Sequence, residues 1–500
     1  MDQASKFQQV IALREQVLSG GGEEAVQRQH DSGKLSARER IEQLLDAGSF
    51  VEVDALAGGA KAPAQGVVAG YGTVDARPVA VWAQDYTVLG GAMGARHAAK
   101  IVKVMNMAVK GGMPVISLLD STGARIEEGV DVLSAYGQII CQSARMSGVV
   151  PQLAAVLGPC VGAAAVAPML GDFVFMSRKN SFLAAAGAQV LSASAGKTLS
   201  ADQVGGAMAN AEGGAAHFVA EDEQGVIAQI KQLLSLLPSN SAEDPMLFEI
   251  KDDLNRAEAA LDAGKPADVR ELIQAVVDSG SFLESQSFFA TGAVTGFALL
   301  GGRPVGVVAT QGNVDAGRIS GEMADKAARF VRTCDAFNLP VVTFVDSQGL
   351  AICPTQEKWG LMRKVAALNY AYAEATVPMV SVVVGSAIGA GYISLGSRAM
   401  GADMVYAWPE AVIAPVTPDA ATVILHGQLE GESADALTAR QQMADQYVLV
   451  YANPVKAAEE GLVDDVITPA ATRSYVIAAL ELLSAKRDAG LPKKHGNLPL

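Results

Sequence analysis

One pattern occurs twice in this chain, and that repeat limits its fold more than any other feature. Residues 66–123 run from GVVAGYGTVDARPVAVWAQD to KGGMPVISLLDSTG, and residues 292–349 run from GAVTGFALLGGRPVGVVATQ to AFNLPVVTFVDSQG. The register is constant. Arg77-Pro78 matches Arg303-Pro304, Lys100 matches Lys326, Pro114 matches Pro340, Asp120 matches Asp346 and Gly123 matches Gly349, each 226 residues on (303 − 77). Pro151 and Pro378, then Gly162 and Gly389, follow at 227 (389 − 162), and the triplet GSF opens both copies at 48–50 and 280–282. A register held over so many positions implies two similar domains built by internal duplication.

Each copy reads strand, strand, helix, strand. VAVWAQD and VGVVATQ are β-rich runs, 95–110 and 321–337 have helical spacing, and PVISLLD and PVVTFVD are apolar strands entered by a proline. A second helix then leads to PQLAAVLG or PMVSVVVG. Alternating β and α units predict a layered α/β fold. The polar stretch 236–268 is the expected junction, giving domains at 1–240 and 241–500.

Both buried strands end in a cluster of small residues that precedes a helix. These are Gly158-Pro159-Cys160-Val161-Gly162-Ala163-Ala164-Ala165 and Gly385-Ser386-Ala387-Ile388-Gly389-Ala390-Gly391-Tyr392. A helix start leaves backbone N–H groups without internal partners, and missing side chains let a ligand oxygen reach them. Paired amides of this kind stabilise charge growing on a carbonyl oxygen. Tight helix–strand packing explains a single such turn equally well. The same turn in both copies favours oxyanion sites, suited to enolate chemistry on a thioester.

Other chemistries find little support. The five histidines (His30, His97, His217, His426 and His495) form no metal spacing and no nucleophile elbow. Asp120 and Asp346 stand at strand ends, where they either serve function or cap the next turn through its backbone. Arg125, Glu127 and Glu128 read as a structural ion pair at a helix start. The four cysteines lie far apart, as expected of reduced thiols. A net charge of −15 argues against nucleic acid or an anionic membrane as partner. The polar, amphipathic N-terminus has no signal-peptide core, so a cytoplasmic location is expected.

Several runs resemble the carboxyltransferase subunits of propionyl-CoA carboxylase and its relatives, among them methylmalonyl-CoA decarboxylase and transcarboxylase. They are HDSGKLSARERIEQLLDAGSFVEV (30–53), QDYTVLGGAMGARHAAKI (84–101), LLDSTGARIEEGV (118–130), ARFVRTCDAFNLPVVTFVD (328–346), YAYAEATVP (370–378), YAWPEAVIAPV (406–416) and EEGLVDDVITPAATRS (459–474), followed by the tail LPKKHGNLPL. The resemblance implies tandem crotonase-like superhelices of ββα units and a homo-hexamer with active sites shared between subunits. Acyl-CoA would lie on the N-terminal domain and biotin on the C-terminal one. Gly162 and Ala163 would then hold the thioester enolate oxygen, and Gly389, Ala390 and Gly391 the ureido oxygen of biotin. Ala164, Tyr392 and Ile393 would line the substrate, Ile393 at a position where relatives vary the acyl pocket. Biotin would arrive on a carrier protein, since the chain has neither an ATP-binding region nor a biotin-attachment motif. A biotin carboxylase or a membrane decarboxylase subunit would complete the complex, placing this chain peripheral to the membrane in the second case. No metal is implied.

The chain departs from that family in four places. Both turns carry Gly-Ala where relatives usually have Gly-Gly, which is tolerable only if the alanine keeps a negative φ. Residues 347–360 and 183–206 differ from the family pattern, and Ile393 favours an apolar acyl group without fixing its length. Two other functions remain open on these grounds. One is an altered paralogue that organises a complex, and the other is a crotonase-type hydratase or isomerase, which would need neither a second domain nor biotin.

Overall fold

The computed structural model describes residues 3–59, 62–427, 434–488 and 490–499, so Leu500 of the quoted tail lies outside it. The chain divides into two compact units, Met1–Asp244 and Pro245–Leu500.

The first unit is built on a seven-stranded sheet. Its strands run, edge to edge, Val51–Glu52, Val67–Val74, Arg77–Gln84, Val115–Leu119, Gln152–Val156, Phe173–Ser177 and Phe218–Ala220. The first three pair antiparallel and the rest parallel. Helices Ala95–Gly111 and Asp131–Met146 cover one face, burying Ile101, Val104, Met105, Tyr136 and Ile139 against it. The second unit repeats the plan with eight strands. Leu283–Ser285, Ala293–Leu300, Arg303–Thr310, Val341–Ser347, Met379–Ile388, Met404–Ala407 and Asp465–Val466 lie in line, and Val412–Ala414 pairs beside Met379–Ile388.

The duplication holds at the level of single atoms. The first hairpin pairs Val67 with Gln84 through to Val74 with Arg77, and the second pairs Ala293 with Thr310 through to Leu300 with Arg303, the same register 226 residues on. Their two-residue turns both have positive φ, Asp75 and Ala76 at 49° and 63°, Gly301 and Gly302 at 59° and 73°. Glycine suits that turn, and Asp75-Ala76 is held there by the Asp46 carboxylate, which accepts both N–H groups at 3.1 and 2.8 Å. Asp278 does the same for Gly301 and Gly302, at 3.1 and 2.8 Å. Buried Lys100 donates to the Val67 carbonyl, and Lys326 to that of Ala293, both at 2.7 Å. Burial pushes each ammonium down to about 8.

The two copies differ where the central parallel strand ends. In the second unit Met379–Ile388 runs unbroken for ten residues. In the first it stops at Val156 and resumes as Pro159–Val161, which pairs with Phe182–Ala184 in a separate small sheet. Pro159 has no N–H to offer, and the ladder breaks beside it.

Candidate active site

Each strand passes into its turn through a glycine that cannot carry a side chain. A Cβ on Gly158 would lie 1.9 Å from the Asp120 carboxylate, and one on Gly385 would lie 2.3 Å from that of Asp346. The aspartates matched in the sequence therefore stand directly behind the two turns. Neither caps its own turn. Ser121 and Ser347 take that role, each accepting the N–H of the glycine two residues on, Gly123 at 3.1 Å and Gly349 at 3.2 Å.

Asp120 is fully buried among charges. Lys34 donates to Oδ1 at 2.9 Å, Gln29 to Oδ2 at 2.9 Å, and Arg40 lies 3.0 Å from Oδ2. Arg40 itself is clasped by Glu223 at 2.6 and 2.9 Å. Asp346 has fewer partners. Lys265 pairs with its Oδ2, and the Ser386 N–H donates to Oδ1 at 2.8 Å. Sequence reading quoted Lys34 and Arg40 inside a family run but gave them no part, because nothing in the pattern tied them to Asp120, 86 residues from Lys34.

At the first turn Gly162 adopts φ +62°, and a Cβ there would meet only the Ala185 carbonyl, at 3.8 Å. The backbone angle, not crowding, demands glycine, and the space in front stays open. Gly162–Ala165 forms a short helical turn and Val166–Leu170 continues it. Ala163 is exposed and Ala164 half-buried. The leading N–H groups of such a turn have no partner within the helix.

At the second turn Gly389 adopts φ +53° and caps the helix Ala390–Ser394. Its own N–H donates to the Ala414 carbonyl at 2.8 Å. Gly389 and Ala390 are half-buried, whereas Gly391 is buried, where a Cβ would sit 2.9 Å from both Gly349 Cα and Ser347 Oγ. Packing accounts for that glycine. Tyr392 anchors the helix by donating to the Leu462 carbonyl at 3.2 Å, and Ile393 is 47% exposed. Ala163 and Ala390 are both absent from the positive-φ residues, so the Gly-Ala turns carry no alanine strain.

The Arg125 run is structural, as expected. Arg125 donates to the carbonyls of Ala92 and Gln65 and pairs with Glu128 at 3.4 Å, and Glu128 accepts the Ala95 N–H at the head of the long helix. Among the described residues no cluster of His, Cys, Asp or Glu could hold a metal ion, no disulfide joins the four cysteines, and no helix is long and apolar enough to cross a membrane.

Each copy thus carries one small-residue turn backed by an aspartate. A family model described as the carboxyl transferase domain matches residues 28–498. The chain belongs to the carboxyl transferase family. Methylmalonyl-CoA decarboxylase subunit alpha of Veillonella parvula is 45% identical, the match covering 97% of each chain. The carboxyltransferase subunit of propionyl-CoA carboxylase from Haloferax mediterranei is 42% identical over the full length of both. A transcarboxylase 12S subunit, solved as a hexamer with methylmalonyl-CoA and methylmalonic acid bound, superposes with a TM-score of 0.95 at 40% identity, covering all of both chains. The fold is thus the α/β pair of similar domains expected from the duplication, crotonase-like as the family resemblance implied.

Proposed function

We propose that this carboxyltransferase moves a carboxyl group between biotin, carried by a separate protein, and a short acyl-CoA of the propionyl or methylmalonyl type. The recurrence of a glycine-led helix start, backed by an aspartate, at the same place in both copies carries the reading. The transfer develops negative charge on two oxygens, one on each reactant, and paired turns provide two sets of N–H donors.

In this reading the Gly162 and Ala163 amides face the thioester oxygen as its enolate forms. Gly162 leaves room for the approach, and Ala163 supplies its N–H from an exposed, unstrained backbone. Gly389, Ala390 and Gly391 face the biotin ureido oxygen, with Tyr392 and Ile393 beside them. Bound biotin supplies a nitrogen that can carry and release the carboxyl group. The half-buried amide of Ala390 suits a polar ring oxygen, Gly389 serving by its turn while its own N–H is held by the Ala414 carbonyl, and no side chain nearby need ionise. The first unit takes acyl-CoA and the second biotin, with a biotin carboxyl carrier protein as partner and a homo-hexamer as the working assembly. A biotin carboxylase or a membrane decarboxylase subunit would set the direction of net reaction.

The test is decarboxylation of methylmalonyl-CoA and malonyl-CoA by the purified chain, with and without free biotin. Biotin-dependent turnover is expected. A folded protein that turns over neither substrate would overturn the reading in favour of an altered, organising paralogue.

A further inference from the structure

Ser347-Gln348-Gly349 opens the stretch 347–360 that departs from the family pattern, and it packs directly on the helix of the second turn through Gly391. The backbone of this loop is fixed from within. The strand Val341–Ser347 shifts register between Val345 and Ser347, so that Ser347 pairs with Ala387. Ser347 Oγ accepts the Gly349 N–H at 3.2 Å, and the Gln348 N–H donates to the Ala316 carbonyl at 3.1 Å. The Gln348 side chain therefore leaves the loop from a defined point, and its Nε2 donates to Ser386 Oγ at 2.8 Å.

Ser386 stands three residues ahead of Gly389 (389 − 386) on the strand that becomes the turn. Its own N–H donates to Asp346 Oδ1 at 2.8 Å. Asp346 and Gln348, two residues apart, thus hold the backbone and the side chain of one serine. On the other flank Ser386–Ile388 pairs with Val412–Ala414, and the Gly389 N–H donates to the Ala414 carbonyl at 2.8 Å. The strand end is gripped from both sides just before the Ala390 amide. Gln348 and Ser386 are both half-buried, so water can replace their contact at little cost to the fold.

The first copy cannot build this grip. Thr122 matches Gln348 at 226 (348 − 122), and Pro159 matches Ser386 at 227 (386 − 159). Thr122 is exposed, with its N–H donating to the Gly90 carbonyl at 2.9 Å. Pro159 has neither an N–H nor a hydroxyl to offer. The side-chain bridge therefore belongs to the copy whose turn faces biotin in the proposed function.

We infer that Gln348 and Ser386 form a clip that aims the biotin-side turn, which makes Gln348 a positioning residue for the carboxyl transfer. An oxyanion donor works only at hydrogen-bond distance from the place where the charge forms, so the direction of the strand end sets how well the Ala390 N–H serves. Neither side chain need touch a reactant for this. The inference rests on the proposed assignment of the second turn to biotin, and adds which contact holds that turn on line.

A double-mutant cycle on the full chain tests it, with biotin-dependent decarboxylation of methylmalonyl-CoA, CoA-ester affinity and melting measured for each variant. Gln348→Ala and Ser386→Ala should each lower kcat roughly tenfold, since small misplacements of a catalytic donor are costly. CoA-ester affinity should stay within about twofold, and the double variant should lose no more than either single one, because both break the same contact. Ser386→Thr keeps the hydroxyl and should recover most of the turnover. Single variants within about twofold of wild type would overturn the clip, as would a double variant down by the product of the two losses, about a hundredfold. A loss of CoA-ester affinity equal to the loss of turnover would overturn its assignment to the biotin side. A wild-type chain without biotin-dependent turnover would instead overturn the proposed function, and this inference with it.

Discussion

Asp120 and Asp346 occupy the same place in two copies of one fold, yet their surroundings differ sharply. The first is sealed from solvent and shares its oxygens among Lys34, Arg40 and Gln29, with Glu223 balancing Arg40. The second keeps a side chain 12% exposed, beside a lysine that is 35% exposed. The proline at 159 explains part of this. Ser386 gives Asp346 a backbone N–H, and Pro159 has none to give, so the first copy surrounds its carboxylate with side chains. Duplication preserved the device, a carboxylate behind a glycine at the strand end. It left each copy free to satisfy that carboxylate by different means.

The sharpest way to break this comparison is to neutralise both aspartates. Asp120→Asn leaves Arg40 and Lys34 buried without their shared counter-charge, and removing one partner of a buried charge network costs about 3–5 kcal/mol. Asp346→Asn keeps an oxygen for the Ser386 N–H and leaves Lys265 able to reach water, so about 1 kcal/mol is expected there. Denaturant unfolding of the two variants checks the ordering. Equal losses would show that the first network is no more buried in effect than the second.

The turns themselves can be separated by proline. Ala163→Pro deletes one donor from the first turn, within a short helical turn and without positive φ, so the fold should stand, while transfer falls roughly 10²–10³-fold, equivalent to about 2.7–4 kcal/mol. Ala390→Pro should spare acyl-CoA affinity and damage only the biotin-dependent step. Paired measurements of CoA-ester binding and biotin-dependent decarboxylation distinguish them. If Ala390→Pro abolishes CoA-ester binding instead, the division of labour between the two copies is wrong.

Much of this was legible in the sequence because it depends on chain register. A fixed offset brought Asp120 and Asp346, Lys100 and Lys326, and the two turns into equivalent places, and alternation of strand and helix gave the layered fold. What could not be read was anything set by long-range contact. Lys34 reaches Asp120 and Arg40 reaches Glu223, 183 residues away, with no pattern to mark either pair. The break of the first copy's strand at Pro159 was visible as a residue but not as a consequence. Gly391 looked equivalent to the other turn glycines, and only its contact with Gly349 shows that packing requires it.

The smallest expected effect concerns another mismatch between the copies. His97 is completely buried, with Nδ1 3.0 Å from the Gln65 carbonyl, and Met323 holds the matching position in the second copy. Burial, with Arg125 and Lys100 nearby, pushes the imidazole down to about 3. The sign follows from proton counting. Between about pH 6.5 and 3 the unfolded chain binds a proton at His97 that the folded chain refuses, so acid favours unfolding. At pH 5 this amounts to about 2 kcal/mol relative to neutral pH, at about 1.36 kcal/mol per pH unit. His97→Met installs the residue that the other copy already uses and removes the titration. Stability of wild type and variant, measured from pH 7 to pH 5, should therefore diverge by about 2 kcal/mol in the variant's favour, whatever their offset at pH 7. Parallel curves would mean that His97 takes up its proton in the folded chain, and that its cavity admits the water or counter-charge needed to hold it.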